Sequence, residues 1–152
     1  MTAPDTSLPL GECISRYQDS LTALLHDKGN NKQGADIIIL GLGPDGHLAS
    51  LFPPLSEDLL PHKAEQERVF HTQTSHFDVL DRITVSLDQI GASSSKFFFL
   101  QGEEKRNVWQ EMALADQQGL SLAQLYTRWP ALFVVHSGQT SVIAQFPPKG
   151  GL

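Results

Sequence analysis

Asp45 and His47, two residues apart, lie in the stretch of this chain best equipped for chemistry: Gly41-Leu42-Gly43-Pro44-Asp45-Gly46-His47-Leu48-Ala49-Ser50-Leu51-Phe52-Pro53. A free imidazole titrates near pH ~6.5, so it can take up and return a proton close to neutrality. A carboxylate beside it can orient the ring or a bound hydroxyl. His47 is therefore the candidate base and Asp45 its companion. Gly41, Gly43 and Gly46 let the backbone approach a ligand closely and reach positive φ. An arbitrary histidine in an arbitrary loop more often caps or packs, so the assignment depends on what surrounds it.

The loop follows Ala35-Asp36-Ile37-Ile38-Ile39-Leu40, a β-branched and almost continuously apolar run. Such a run predicts a strand covered on both faces in a parallel sheet. Open α/β sheets place their ligands beyond the carboxyl ends of strands of this kind. Formally the loop also satisfies G-x-G-x-x-G, the dinucleotide-binding pattern. That unit needs a crossover helix of about 10 or more residues after the last glycine. Here only six residues separate Gly46 from Pro53-Pro54. The acidic residue expected about 20 positions on would be Glu65 or Glu67, and neither follows a convincing second strand. The nicotinamide reading is set aside.

Other elements must position these groups. The residues to about Leu8 read as an exposed tail. Over Pro9 to Lys28, Ile14, Tyr17, Leu21, Leu24 and Leu25 form one helical stripe, and Gly29 and Asn30 supply a stop. The stretch Ser56 to Glu67 is polar. Strands are expected at Arg68 to Thr72 and at Arg82 to Leu87, the second alternating Ile83, Val85, Leu87 against Thr84, Ser86. Lys96 to Leu100 reads as another buried strand, followed by a helix from Glu103 to about Ala115. A short helix from about Leu120 to Tyr126 and a last buried strand, Ala131 to Val135, complete the order. Strands alternating with helices indicate an α/β layered fold. No internal repeat or long linker divides the chain, so residues 1–152 are read as one domain.

Composition narrows the function classes. The chain has 152 residues, 40% apolar and 18% charged, enough for a buried core. Its net charge of −6 provides no basic field for nucleic acid or an anionic membrane. Cys13 is the single cysteine, so no internal disulfide and no Cys-based zinc site can form. No signal-peptide pattern or run of about 18 apolar residues is present. A cytoplasmic protein is expected, without nucleic-acid or membrane partners. His71 and His76 point to opposite sides of an extended chain, and His26, His62 and His136 have no partner spacing. All five are read as structural or exposed. Trp109, Met112 and Trp129 are read as core.

The run from Gly41 to Pro53 closely resembles the signature of 6-phosphogluconolactonases, G-x-G-x-D-G-H-T-A-S-L-F-P, whose histidine is catalytic. Asp81-Arg82-Ile83-Thr84-Val85-Ser86-Leu87 is similar to that family's R-I-T-L-T-L strand, and Phe97 to Lys105 to its apolar strand ending in x-G-x-x-K. Glucosamine-6-phosphate deaminases continue the loop as I-A-F-N-E-P, whereas here Leu48 to Pro53 lacks the Asn-Glu pair. The resemblance implies an α/β, Rossmann-like layered fold, with a mostly parallel sheet flanked by helices. It implies hydrolysis of a sugar-phosphate lactone, 6-phosphogluconolactone, to 6-phosphogluconate in the oxidative pentose phosphate pathway. His47 would be the general base, with Asp45 orienting it. Arg82 and Lys105 would hold the phosphate, and Gly41, Gly43 and Gly46 would meet the substrate, their N–H groups serving the oxyanion. No metal or cofactor is implied. Lys105 would share the anion with the N–H groups of its own helix terminus.

The chain also departs from that pattern. The family's T-G-G-S-T-P loop and D-E-R segment do not occur, and Thr74-Ser75-His76-Phe77-Asp78 stands where Ser-Pro-Lys-Pro is common. The chain thus corresponds to the C-terminal part of such an enzyme, and its fold is incomplete relative to the family. A parallel sheet lacking its first strands exposes an edge and apolar surface. The solitary chain is expected to dimerise or to recruit a partner chain, with weak or no activity alone. A non-catalytic sugar-phosphate-binding fragment and a deaminase-like enzyme are the alternatives.

Overall fold

The computed structural model describes residues 2–26, 34–61 and 68–146. Among these, α1 (Leu10–His26) is followed by β1 (Ile37–Leu40), a 3-10 turn at Glu57–Leu59, and the strands β2 (Val69–Gln73) and β3 (Asp81–Val85). Then come α2 (Leu87–Gly91), β4 (Ser95–Gln101), α3 (Glu103–Asp116), α4 (Leu122–Arg128), α5 (Pro130–His136) and β5 (Thr140–Gln145). The main sheet has the order β1-β4-β5, both pairs parallel, and β2 and β3 form a separate antiparallel hairpin. The chain is thus α/β, with a parallel sheet flanked by helices.

Register decides which residues share a face. Ile38 aligns with Lys96 and Leu40 with Phe98, so the inner row runs Ile38, Leu40, Lys96, Phe98, Leu100. Phe98 is fully buried and meets Trp109 of α3 edge-on at 5.3 Å. Leu132 and Val134 of α5 join the same core. Truncating a ring so enclosed costs about 3–5 kcal/mol. Trp109 and Met112 lie on the core side of α3, and Trp129, between α4 and α5, is buried in the same core. Lys96 is buried as well, its Nζ donating to the Gly91 and Ser93 carbonyls at 3.1 and 3.0 Å. Burial lowers the Lys96 pKa. The ammonium caps the end of α2, where backbone carbonyls would otherwise lack partners.

Among the described residues the opposite face of the sheet is uncovered. Ile37 and Ile39 are 62% and 68% exposed, with Phe99 and Ile143 beside them at 50% and 47%. The expectation that the first strand is covered on both faces is therefore wrong for the described residues. A continuous apolar run encodes an environment, and here nothing among these residues supplies the second layer.

Ala131 to Val135, expected as a strand, is helical within α5. Pro130 starts that helix with a φ already suited to it, and a five-residue apolar run does not by itself distinguish a buried strand from a buried helix. The last strand is instead β5, left unassigned by the sequence reading. The strand expected to reach Leu87 ends at Val85, because Ser86 caps α2 by accepting from the Gln89 amide. The short helix is displaced slightly, to Leu122–Arg128, by a capping box between Ser121 and Gln124. His26's side chain, His62, Glu65 and Glu67 lie outside the described residues.

Candidate active site

The loop leaves β1 at Leu40 and closes on itself. The Gly43 amide donates to the His47 carbonyl at 2.8 Å, and the Gly46 amide to the Gly43 carbonyl at 3.1 Å. Gly46 has φ +88, a left-handed conformation that favours glycine. Asp45 Oδ1 accepts twice from His47, from the amide at 3.1 Å and from Nδ1 at 2.6 Å. An ionised carboxylate only accepts, so in the neutral ring this short bond calls for the proton on Nδ1, with the lone pair on Nε2. Burial alone would raise the Asp45 carboxyl, but the hydrogen bonds from His47 outweigh it and hold the pKa below the ordinary value.

His47 is neither submerged nor free. Its side chain is 23% exposed. Phe52 lies 4.8 Å from the ring at a tilt, and Phe77 meets it edge-on at 5.3 Å. These two phenyl rings are themselves 5.8 Å apart. The imidazole thus stands in an apolar bracket with one edge hydrogen-bonded.

The two expected phosphate ligands reach the loop's surroundings from separate elements. β1 and β4 run parallel, so the start of α3 falls at the same sheet edge as the glycine loop. Lys105, in the first turn of α3, donates from Nζ to the Leu42 carbonyl. Arg82, on β3, lies with its guanidinium carbon 5.8 Å from the centre of the Phe77 ring and donates from Nε to the Val79 carbonyl at 2.9 Å. Phe77 therefore touches both His47 and Arg82. Lys105 is bound to the loop itself, through the Leu42 carbonyl.

The glycines divide by role. A side chain at Gly43 would overlap the His47 ring, and one at Gly46 would meet Trp129 at 2.8 Å, whereas Gly41 has open space. The amides of Gly43, Gly46, His47 and Leu48 all have acceptors within the loop. They are not the free donors an oxyanion would need.

Sequence reasoning missed the supports. Leu48-Ala49-Ser50-Leu51 is a tight turn, with Ala49 and Ser50 at φ 49 and 65 and a bridge between Leu48 and Leu51. The buried Thr72 and Thr84 donate from their hydroxyls to the Ser50 and Ala49 carbonyls. Their only sequence signal is a hydroxyl among apolar strand residues. Phe52, Phe77 and Arg128 were missed too, Arg128 donating to the Asp45 carbonyl at 3.0 Å.

The remaining histidines behave as expected where they are described. His71 Nε2 lies 2.8 Å from Asp81 Oδ1, and hydrogen bonds from Gln73 and then His71 lower the Asp81 pKa. His136 is exposed and meets Tyr126 and Asp116. Among the described residues there is no group of three or more His, Cys, Asp or Glu that could hold a metal ion.

Known proteins are similar to this chain over most of its length. The family described as glucosamine-6-phosphate isomerases/6-phosphogluconolactonase matches residues 1–143. A probable 6-phosphogluconolactonase of Dictyostelium discoideum is 40% identical over 139 residues, covering 91% of this chain and 53% of the relative. A bifunctional glucose-6-phosphate 1-dehydrogenase/6-phosphogluconolactonase of Plasmodium falciparum is 29% identical, covering 91% of this chain and 17% of that protein. The structure of 6-phosphogluconolactonase from Plasmodium vivax superposes with a TM-score of 0.79 at 29% identity, covering 97% of this chain and 56% of that one. The chain spans about half the length of the Dictyostelium and Plasmodium vivax proteins. On its loop, its sheet and these matches, the chain belongs to the glucosamine-6-phosphate isomerase/6-phosphogluconolactonase family.

Proposed function

We propose that this chain carries the catalytic loop of a 6-phosphogluconolactonase. The observation that carries the reading is the 2.6 Å hydrogen bond from His47 Nδ1 to Asp45, in a glycine loop at the carboxyl end of a parallel strand. It leaves Nε2 as the basic atom. Nε2 takes a proton from water as the water oxygen attacks the lactone carbonyl. The tetrahedral intermediate then breaks the ring C–O bond, and the proton on Nε2 passes to the departing alkoxide. The products, on one open chain, are a hydroxyl and a carboxylic acid that releases its proton to solvent and becomes a carboxylate. Arg82 offers a planar fork for phosphate oxygens, and Lys105 a compact second cation. The oxyanion donors come from groups other than the amides of Gly43, Gly46, His47 and Leu48, which are already engaged.

The apolar face around Ile37, Ile39, Phe99 and Ile143 favours a chain that works against another protein surface, either a second copy or a partner chain. Among the described residues no helix is long and apolar enough to cross a membrane. The free, buried Cys13 fits a cytoplasmic setting.

The test is hydrolysis of 6-phosphogluconolactone by wild type and His47→Ala. The expected loss is about 10²- to 10⁴-fold. Unchanged turnover in the variant rejects the base. Binding of 6-phosphogluconate, weakened by Arg82→Ala and Lys105→Ala but without turnover in wild type, would favour the non-catalytic alternative.

A further inference from the structure

The turn carrying Asp45 and His47 is held from outside the glycine loop as well as from within. Arg128, the last residue of α4, lies 83 positions from Asp45 in sequence, yet its Nη1 donates to the Asp45 carbonyl at 3.0 Å. Its guanidinium carbon lies 3.8 Å from the centre of the Trp129 ring. Trp129 is itself 7% exposed and part of the core. A Cβ built on Gly46 would meet Trp129 at 2.8 Å and Arg128 Nη1 at 3.1 Å. Both side chains therefore lie beside Gly46, and Arg128 is bonded to the peptide that links it to Asp45.

That peptide matters because of what hangs on either side of it. The Asp45 side chain precedes it and His47 follows one residue later, and the two meet again through two hydrogen bonds to a single carboxylate oxygen. Rotating the peptide would move the His47 Cα relative to that oxygen. A 2.6 Å bond tolerates only small shifts before it lengthens and loses alignment. A delocalised, planar cation stacked on an indole has a defined plane, and that plane determines where Nη1 points. The stack is anchored in the core, so the aim of Nη1 is anchored too.

We propose that Arg128 is a positioning residue, which uses its seat on Trp129 to fix the Asp45–Gly46 peptide and so the Nδ1–H form of His47. The proposal builds on the reading of His47 as the base, because an Nδ1 proton is what frees Nε2. It concerns no contact with substrate.

The test uses the full chain and does not depend on turnover. Long-range ¹H–¹⁵N correlations at about pH 8.5, where imidazole is neutral, report which ring nitrogen holds the proton. Wild type is expected to show mainly the Nδ1–H form. Arg128→Met keeps a long side chain over Trp129 but has no donor, and its ratio of Nδ1–H to Nε2–H should fall about ten-fold with an unchanged melting midpoint. Arg128→Lys keeps a donor within reach and should lie between the two. His47→Ala assigns the resonances. The proposal is overturned if the Met variant keeps the wild-type ratio, if wild type lacks the Nδ1–H form, or if the ratio falls only along with the melting midpoint. If the ratio shifts as expected while His47→Ala leaves lactone hydrolysis intact, the positioning stands and the catalytic reading fails.

Discussion

The His47 imidazole lies over Gly43 and fills the space that any side chain at position 43 would need. The second glycine of the loop is therefore required by the histidine's own fold. Gly41, with open space around its Cα, carries no such demand. Gly43→Ala should displace the ring and lower the proposed lactone hydrolysis by about 10²-fold, the scale of a misplacement near 1 Å. Gly41→Ala should leave stability within about 0.5 kcal/mol, as at an ordinary surface site. Kinetics and thermal melts on the pair would check the contrast, and equal effects would contradict it.

Asp45→Asn keeps the shape of the acceptor and removes its charge. Turnover should fall by about 10- to 10²-fold, because a neutral amide orients the ring but supports the imidazolium poorly. The pH dependence has a definite sign. The Asp45 carboxyl titrates below its ordinary value in the folded chain. Its contribution to stability is full above the unfolded value of about 3.9 and is lost as pH falls through the folded one. Wild type should exceed Asp45→Asn at pH ~7, with the difference closing at acid pH, below the unfolded value of about 3.9. Urea midpoints at neutral and at acid pH measure it.

Thr84→Val should cost about 1–2 kcal/mol, since the Ala49 carbonyl then loses its donor. Thr72→Val should do the same through Ser50. Both hold a turn whose two central residues have positive φ without being glycine. Partial opening of Leu48–Leu51 would be read as faster amide exchange at Leu51 than in wild type. Unchanged exchange in both variants would show that the hydroxyls are dispensable.

Ile39→Lys places a charge on the bare sheet face at a residue 68% exposed. Folding stability should change by about 0.5 kcal/mol or less. Self-association should drop, because flat exposed apolar strands template further pairing and a single lysine blunts them. Sedimentation velocity across a concentration series would compare variant and wild type. A wild type that stays monomeric throughout would count against the surface as a site of self-association.

What could be read directly from residue order was short in range. The Asp45–His47 pair is one hydrogen-bonded turn between positions two apart. The strand before it is a β-branched run, and α3 starts just past Gly102. Each depends on neighbours along the chain, so pattern and residue chemistry suffice. The parallel sheet followed from the order of such elements, and the helix where a last strand was expected shows the limit. Apolar character in Ala131 to Val135 specifies burial and leaves the backbone dihedrals open until Pro130 and the surrounding helices settle them.

The site's surroundings depended on chain segments meeting across long separations. Lys105 reaches Leu42 over 63 positions, Arg128 reaches Asp45 over 83, and Thr84 reaches Ala49 over 35. No local pattern encodes such meetings, because they follow from which strands pair and which helix ends fall at the same sheet edge. The proposed base and its carboxylate partner lie within a few adjacent residues. The orientation of the ring, its aromatic bracket and the uncovered face behind β1 were set by packing, where distant side chains compete for the same space.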